Sequence, residues 1–385
     1  MEAYLDGALQ DLEERIRYLK GRVRPKQGRS NDALIKTCRE HLDYAASRSR
    51  VLREDPKWRQ PAAVSSRYRE FRTLVGILDE LEYTVVQVLE RWNDADNRAN
   101  DLVNAIADEI KYPPPSPVAA CQSREYYRIY PALGLLLIPP AENASLLHLP
   151  DLYHELAHPL LLEDNDPQLE PLRRAFLSCW NQAQTYIYSE IQAESVRRHS
   201  PQSFRLYLEG WRQSWRSWLV EFFCDAFAAY VLGPAYVWAH FHLTAKRGVD
   251  PYGVPLGAQS THPADAARFE ILSEVLKLTE WSDDATAIAK KWQSLMDLGG
   301  SVPTPEYQRC FPNNLLVDIA AAASVAIAKV GCPAADAANP AKIGGTLTEA
   351  WNVFWREPTA YRDWQRQKLI QLGLQPLGVD GGSHL

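Results

Sequence analysis

Four prolines within the six residues Tyr112–Pro117 rule out a helix at that point, because each removes a backbone donor and crowds the preceding turn. They interrupt a chain that otherwise reads as helical. Before them, Leu5, Leu9, Leu12, Ile16 and Leu19 recur at three- and four-residue steps, the stripe an amphipathic helix needs. Leu74, Ile77, Leu78, Leu81, Val85 and Leu89 repeat the pattern. Residues 1–112 are therefore expected to form a region of three or four helices, their mixed charges lying on solvated faces. The basic cluster Arg22, Arg24, Lys26 and Arg29 falls in a loop with Gly and Pro and reads as a solvated loop.

After the prolines, Tyr126–Pro139 is rich in strand-forming residues. From residue 149 onward the pattern is helical again, punctuated by Gly and Pro near 233, 253 and 299–305. The fold class expected is mainly α, of the α+β kind with a small sheet. Three regions are expected: helical 1–112, a core at 113–280 and helical 281–385.

Composition narrows the function. A net charge of −6 leaves no broad basic field for nucleic acid or an anionic membrane. The start Met-Glu-Ala-Tyr-Leu-Asp-Gly lacks the basic and apolar segments of a secretory signal. No stretch reads as long and apolar enough to span a bilayer, and Leu315–Val330, interrupted by Asp318, is expected to be a buried helix. Six scattered cysteines without a Cys-x-x-Cys pair suggest reduced thiols in a cytoplasmic protein.

The chemistry is concentrated in His154-Glu155-Leu156-Ala157-His158. Histidines four apart lie one helical turn from each other, so both rings can reach one metal ion. Glu155, beside the first histidine, is placed to act on a water rather than on the metal. A surface helix with two satisfied histidines is the plain alternative.

A catalytic zinc needs a third protein ligand and one open position. Trp218-Leu-Val-Glu221-Phe-Phe-Cys-Asp225 offers two carboxylates one turn apart on an otherwise apolar helix. Buried carboxylates are costly unless paired or bound to metal. Glu221 as third ligand, with Asp225 hydrogen-bonded to a ligand histidine, satisfies both. The alternative is a buried ion pair with Arg268 or Arg212. Downstream, Ser260-Thr261-His262-Pro263 suits a loop before a helix. His262 is then either a donor to a developing oxyanion or an ordinary capping or surface histidine. His240 and His242, two apart, point in different directions on a helix and are expected to be structural; His148 is expected in a loop.

In this order, HExxH, Glu-x-x-x-Asp followed by Ala-Ala, and Ser-Thr-His-Pro with a later Arg, the chain resembles the HtpX-like and CAAX-prenyl-protease-like zinc peptidases, which are gluzincins. The resemblance covers roughly residues 125–275 and includes the strand Leu133-Gly-Leu-Leu-Leu-Ile. It implies a zincin-like core with a small sheet beside the HExxH helix. It also implies zinc on His154, His158 and Glu221, Glu155 as base, Asp225 supporting a ligand, and His262 and Arg268 stabilising substrate or transition state. A strand at Gly134–Ile138 would take up an extended peptide by β-addition. Two departures stand out. Without a spanning segment, the membrane-bound and prenylated substrates do not carry over, and Pro159 should kink or end the helix after His158.

The function expected is that of a zinc endopeptidase acting on a protein or peptide substrate, without membrane insertion, its helical flanks available to a regulatory partner. Two alternatives remain: a catalytically silent zinc-binding partner or sensor module, and a zinc amide hydrolase for a non-peptide substrate.

Overall fold

The structure is a computed structural model that describes residues 1–24, 31–123, 126–162, 166–196, 202–254 and 260–374, and the side chains of all of these but 195–196 and 202–207. Lys26 and Arg29 of the basic cluster lie outside the described residues. Two compact units emerge: Met1–Asp101 with Pro117–Pro140, and Leu102–Ser116 with Ala141–Leu385. The proline run at 112–117 thus falls largely inside the second unit, and the helices after residue 280 belong to that unit as well.

The first unit carries α1 (Glu2–Arg22), α2 (Asp32–Glu54), α3 (Val64–Leu81), a π turn at Glu82–Val86, α4 (Gln87–Arg91) and the start of α5 (Asp94–Glu109). The predicted stripe of α1 is buried throughout, with Leu5, Leu9, Leu12, Ile16 and Leu19 at most 4% exposed. Fully burying one such side chain is worth about 1.5–3 kcal/mol, so five of them hold α1 more firmly than any of its surface charges can. Asp96 and Asn100 tie α5 to the sheet: Asp96 accepts from the Cys121 amide at 2.7 Å, and Asn100 both donates to and accepts from Ala119.

That sheet has three strands, β1 (Val118–Ala120), β2 (Arg128–Tyr130) and β3 (Leu135–Leu137), in the order β1-β3-β2, with β1 parallel and β2 antiparallel to β3. The strand signal over 126–139 therefore resolves into β2 and β3 around a 3-10 turn at Pro131–Leu133. Because β3 is central, its hydrogen-bonding edges are taken on both sides, which overturns the expectation that 134–138 receives a substrate strand. The sheet belongs to the first unit and the HExxH helix to the second.

The second unit contains α6 (Asp151–Leu162), α7 (Glu170–Val196), α8 (Gln202–Leu232), α9 (Pro234–Arg247), α10 (Asp265–Lys277), α11 (Ser282–Gly299), α12 (Pro305–Cys310), α13 (Asn313–Val330), α14 (Lys342–Arg356) and α15 (Pro358–Gln371). Its centre is α8, on which α6, α7, α10 and α13 all pack. Trp211, Trp215 and Trp218 are buried there, and Trp218 lies 5.1 Å from the Phe311 ring. A residue at the middle of five helices meets neighbours on every side, which is why α8 lacks a polar face around Glu221 and Asp225.

Two expectations are corrected here. Pro159 does not end α6, which continues to Leu162 with Pro159 buried inside it; packing on α8 retains the turn despite the missing hydrogen bond. Asn313–Val330 does reach the length and apolar character of a membrane span. Half of it is buried, with Leu316, Ile319, Ala320, Ala323 and Ile327 inward, as suits a helix packed on α7, α8 and α10. Gly233 breaks α8 from α9 with φ 74° and ψ −146°, a conformation open essentially to glycine alone. A Cβ there would meet Trp281 Nε1 at 3.0 Å. Pro234 then starts α9 at the position where its missing N–H costs nothing, and the reversal carries Tyr236 back to the carboxylates of α8. None of the six cysteines, all buried, forms a disulfide.

Candidate metal centre

The HExxH turn lies within α6, whose buried face includes Leu152, Leu156 and Leu160. That burial fixes the rotation of the helix and sends His154 and His158 the same way. Their rings stand nearly perpendicular with centroids 5.2 Å apart. Across from them α8 supplies Glu221. His154 Nε2 is 3.3 Å from Glu221 Oε2, and His158 Nε2 is 4.0 Å from Oε1. Two donors bound to one tetrahedral ion at 2.0–2.1 Å lie about 3.3 Å apart. The first pair already has that spacing, and the second needs to close by less than an ångström.

Behind His154 sits a fully buried polar chain. Arg268 on α10 makes a two-pronged ion pair with Asp225, Nε to Oδ2 at 2.8 Å and Nη2 to Oδ1 at 2.6 Å. Tyr236 donates its hydroxyl to Asp225 Oδ1 at 2.7 Å. His154 Nδ1 is 3.0 Å from that same Oδ1 and 2.9 Å from the Tyr236 oxygen, so its N–H is shared between them. Arg268 Nη2 also reaches the Tyr236 oxygen at 3.3 Å. With the proton fixed on Nδ1, the Nε2 lone pair is left for a metal.

Charge follows geometry. Burial alone would lower the His154 pKa, but the hydrogen bonds and charges of Asp225 and Glu221 outweigh it and push it up to about 10. Without metal the ring is thus an imidazolium, and its Nε2 proton stands where an ion would sit. Burial would raise Glu221, yet His154, Arg268 and His158 hold it down at about 2. Burial, then the charge of His154, lowers His158 to about 4 and keeps it neutral, as a ligand must be. Asp225 is held far below the carboxylate range: burial opposes its charge, but Arg268 and His154 prevail.

Glu155 is half-buried beside His154. The His262 side chain is 59% exposed, with Nε2 3.9 Å from Glu221 Oε2 and Nδ1 2.9 Å from its neighbour Thr261 Oγ1. The segment is anchored to α8 where the Ser260 amide donates to Ser214 Oγ at 3.0 Å. Arg268 serves the buried carboxylate pair rather than open space: it is 2.6 Å from Asp225 and 4.0 Å from Glu221. Arg212, the other candidate partner, pairs instead with Glu209 on its own helix at 2.6 Å.

Two residues enter that sequence reasoning passed over. Tyr236 comes from a different helix, and only the Gly233-Pro234 reversal hints that it returns to the site. Cys224 lies between Glu221 and Asp225 in the sequence and is fully buried. Its Sγ, with one ring nitrogen each of His154 and His158, forms a group whose atoms all lie within 4.8 Å of one another and could hold a metal ion. Burial, and then the carboxylates of Glu221, Asp225 and Glu155, raise its pKa well above the ordinary thiol value. Three other histidines, His148, His240 and His242, are engaged elsewhere. His240 Nε2 donates to the Asp265 carbonyl at 3.0 Å and its ring stacks on Trp292, while His242 and His148 face each other at 5.3 Å.

No protein-family model, curated protein or solved structure matches this chain.

Proposed function

We propose that the chain is a zinc-dependent hydrolase that cleaves peptide bonds, with His154, His158 and Glu221 as ligands and Glu155 as general base. The observation that carries this reading is the 3.3 Å separation of His154 Nε2 and Glu221 Oε2, with Nδ1 of the same ring held by Asp225. Two imidazoles, His154 having given up its Nε2 proton, and one carboxylate form a donor set that suits zinc and leaves one tetrahedral position open. The motif order shared with HtpX-like and CAAX-prenyl-protease-like gluzincins supports the same assignment, including a zincin-like core.

Bound there, zinc supplies a Lewis acid and a water of lowered pKa. Glu155 takes the proton from the attacking water and hands it to the departing amine. Asp225, Tyr236 and Arg268 keep His154 in one tautomer and orientation. His262, exposed and 3.9 Å from Glu221, is positioned to donate to the oxygen of the carbonyl under attack.

A second reading, a zinc-binding module without catalysis, is favoured by Cys224, because a thiol beside the histidine pair can complete a closed site. The test is cleavage of casein and a peptide library by zinc-loaded wild type and by Glu155→Gln. Cleavage by wild type, with at least about a hundredfold loss in Glu155→Gln, the scale of one general base, is the expected result. Cleavage equal in both would remove Glu155 from the mechanism, and no cleavage by zinc-loaded wild type would remove the peptidase reading.

A further inference from the structure

We propose that Cys224 is a fourth ligand of the same ion, so that sulfur competes with water for the open position and holds the wild-type rate below that of a three-ligand centre. This rests on the metal reading above and adds a regulation to it.

The geometry starts on α8. Glu221 and Cys224 are three residues apart and therefore share a helix face, the one that meets the histidine pair. Sγ and the two ring nitrogens already lie within 4.8 Å of one another, and the thiol itself is fully buried. Zinc bonds sulfur at about 2.3 Å and nitrogen at 2.0–2.1 Å, which sets a tetrahedral N···S spacing of about 3.6 Å. The gap between that spacing and the observed limit is about an ångström, within the sweep of a χ1 rotation. Among the described residues, no other cysteine belongs to such a group.

Ligation balances simply. The Cys224 S–H and the His154 Nε2–H each give a proton to water, and the sulfur and nitrogen lone pairs so freed bind the ion, so two protons are released per chain. With His154, His158, Glu221 and Cys224 all bound, a tetrahedral ion has no position for water, as in structural zinc sites. Loss of the sulfur bond restores the three-ligand arrangement that catalysis needs. The chain would then hold its metal in a protected state, and the thiolate would also bias the site toward softer ions.

Cobalt(II) titrated into metal-free full-length protein reads the sulfur bond directly. Wild type is expected to show a sulfur-to-cobalt charge-transfer band in the near ultraviolet. Cys224→Ala is expected to bind one cobalt without that band, and its zinc-loaded form to cleave peptide faster than wild type. Cys224→Ser serves as a second variant of nearly unchanged volume, and the wild-type spectrum alone is decisive if neither variant folds. Cobalt bound to wild type without the band, or a band that persists in Cys224→Ala, would overturn the fourth ligand while leaving the three-ligand site standing. Wild type that takes up no cobalt at all would remove the metal reading and this inference together.

Discussion

Tyr236 donates its hydroxyl to Asp225 Oδ1 at 2.7 Å, while its oxygen lies 2.9 Å from His154 Nδ1. The hydroxyl is fully buried, so no water can replace it without a rearrangement. It joins the α9 turn to a candidate ligand on α6 and to its supporting carboxylate on α8.

Tyr236→Phe keeps the ring and removes the hydroxyl. Outer partners of ligand histidines typically account for 10- to 100-fold in metal affinity. A zinc affinity weakened by about tenfold is expected, measured by competition with a chelator, with the helical circular dichroism of wild type retained. Unchanged affinity would show that Asp225 alone positions His154.

Arg268→Met should be among the most destabilising single changes in the second unit. It leaves the fully buried Asp225 without its cation. Breaking one side of a buried pair costs about 3–5 kcal/mol. Urea denaturation checks this, and a change under about 1 kcal/mol would mean that Tyr236 and His154 suffice to hold the carboxylate.

Gly233→Ala should destabilise the protein by about 2 kcal/mol or more, since its backbone conformation is nearly closed to other residues. The added Cβ would also press on Trp281, 3.0 Å away. A melting temperature equal to that of wild type would show that the α8–α9 reversal relaxes without cost.

Acid should weaken the metal-free protein through its buried histidines. His240 is buried, and burial together with the charge of Arg268 lowers its pKa. His148 is lowered to about 3 by burial and then by Lys246. Both are neutral when folded but take a proton below about 6.5 when unfolded. The stability they carry is therefore complete above that value and is lost as pH falls below it. His154, raised to about 10, works the other way, its share being full below about 6.5 and falling as pH rises from there. One ring opposing two leaves the net change toward lower stability in acid. The urea midpoint in chelator should be lower at about pH 5.5 than at about pH 7.5; an equal or higher midpoint would contradict the neutral state of these rings.

The helices were legible because their signal is local. The stripe Leu5 to Leu19 needs no knowledge of the partner it packs on. The pairing of His154 with His158 follows from one turn of helix, and that of Glu221 with Asp225 likewise. Asp225 proved to combine the two alternatives open to it, since it supports His154 and pairs with Arg268 at once. Tyr236 was hidden because its contact depends on how α9 folds back after Gly233, which no periodicity encodes. β1 was obscured by the prolines just before it, and β3 gave a strand signal that did not reveal its central place. Cys224 was discounted because a lone cysteine has no partner spacing; its partners are histidines on another helix.

The central claim is a metal on α6 and α8, and it is tested most directly by elemental analysis of purified wild type and Glu221→Ala after zinc loading and removal of free ion. About one zinc per wild-type chain, with the metal lost or strongly weakened in Glu221→Ala, is the predicted result. Wild type without zinc, or zinc held equally well by Glu221→Ala, would contradict the site described by His154, His158 and Glu221.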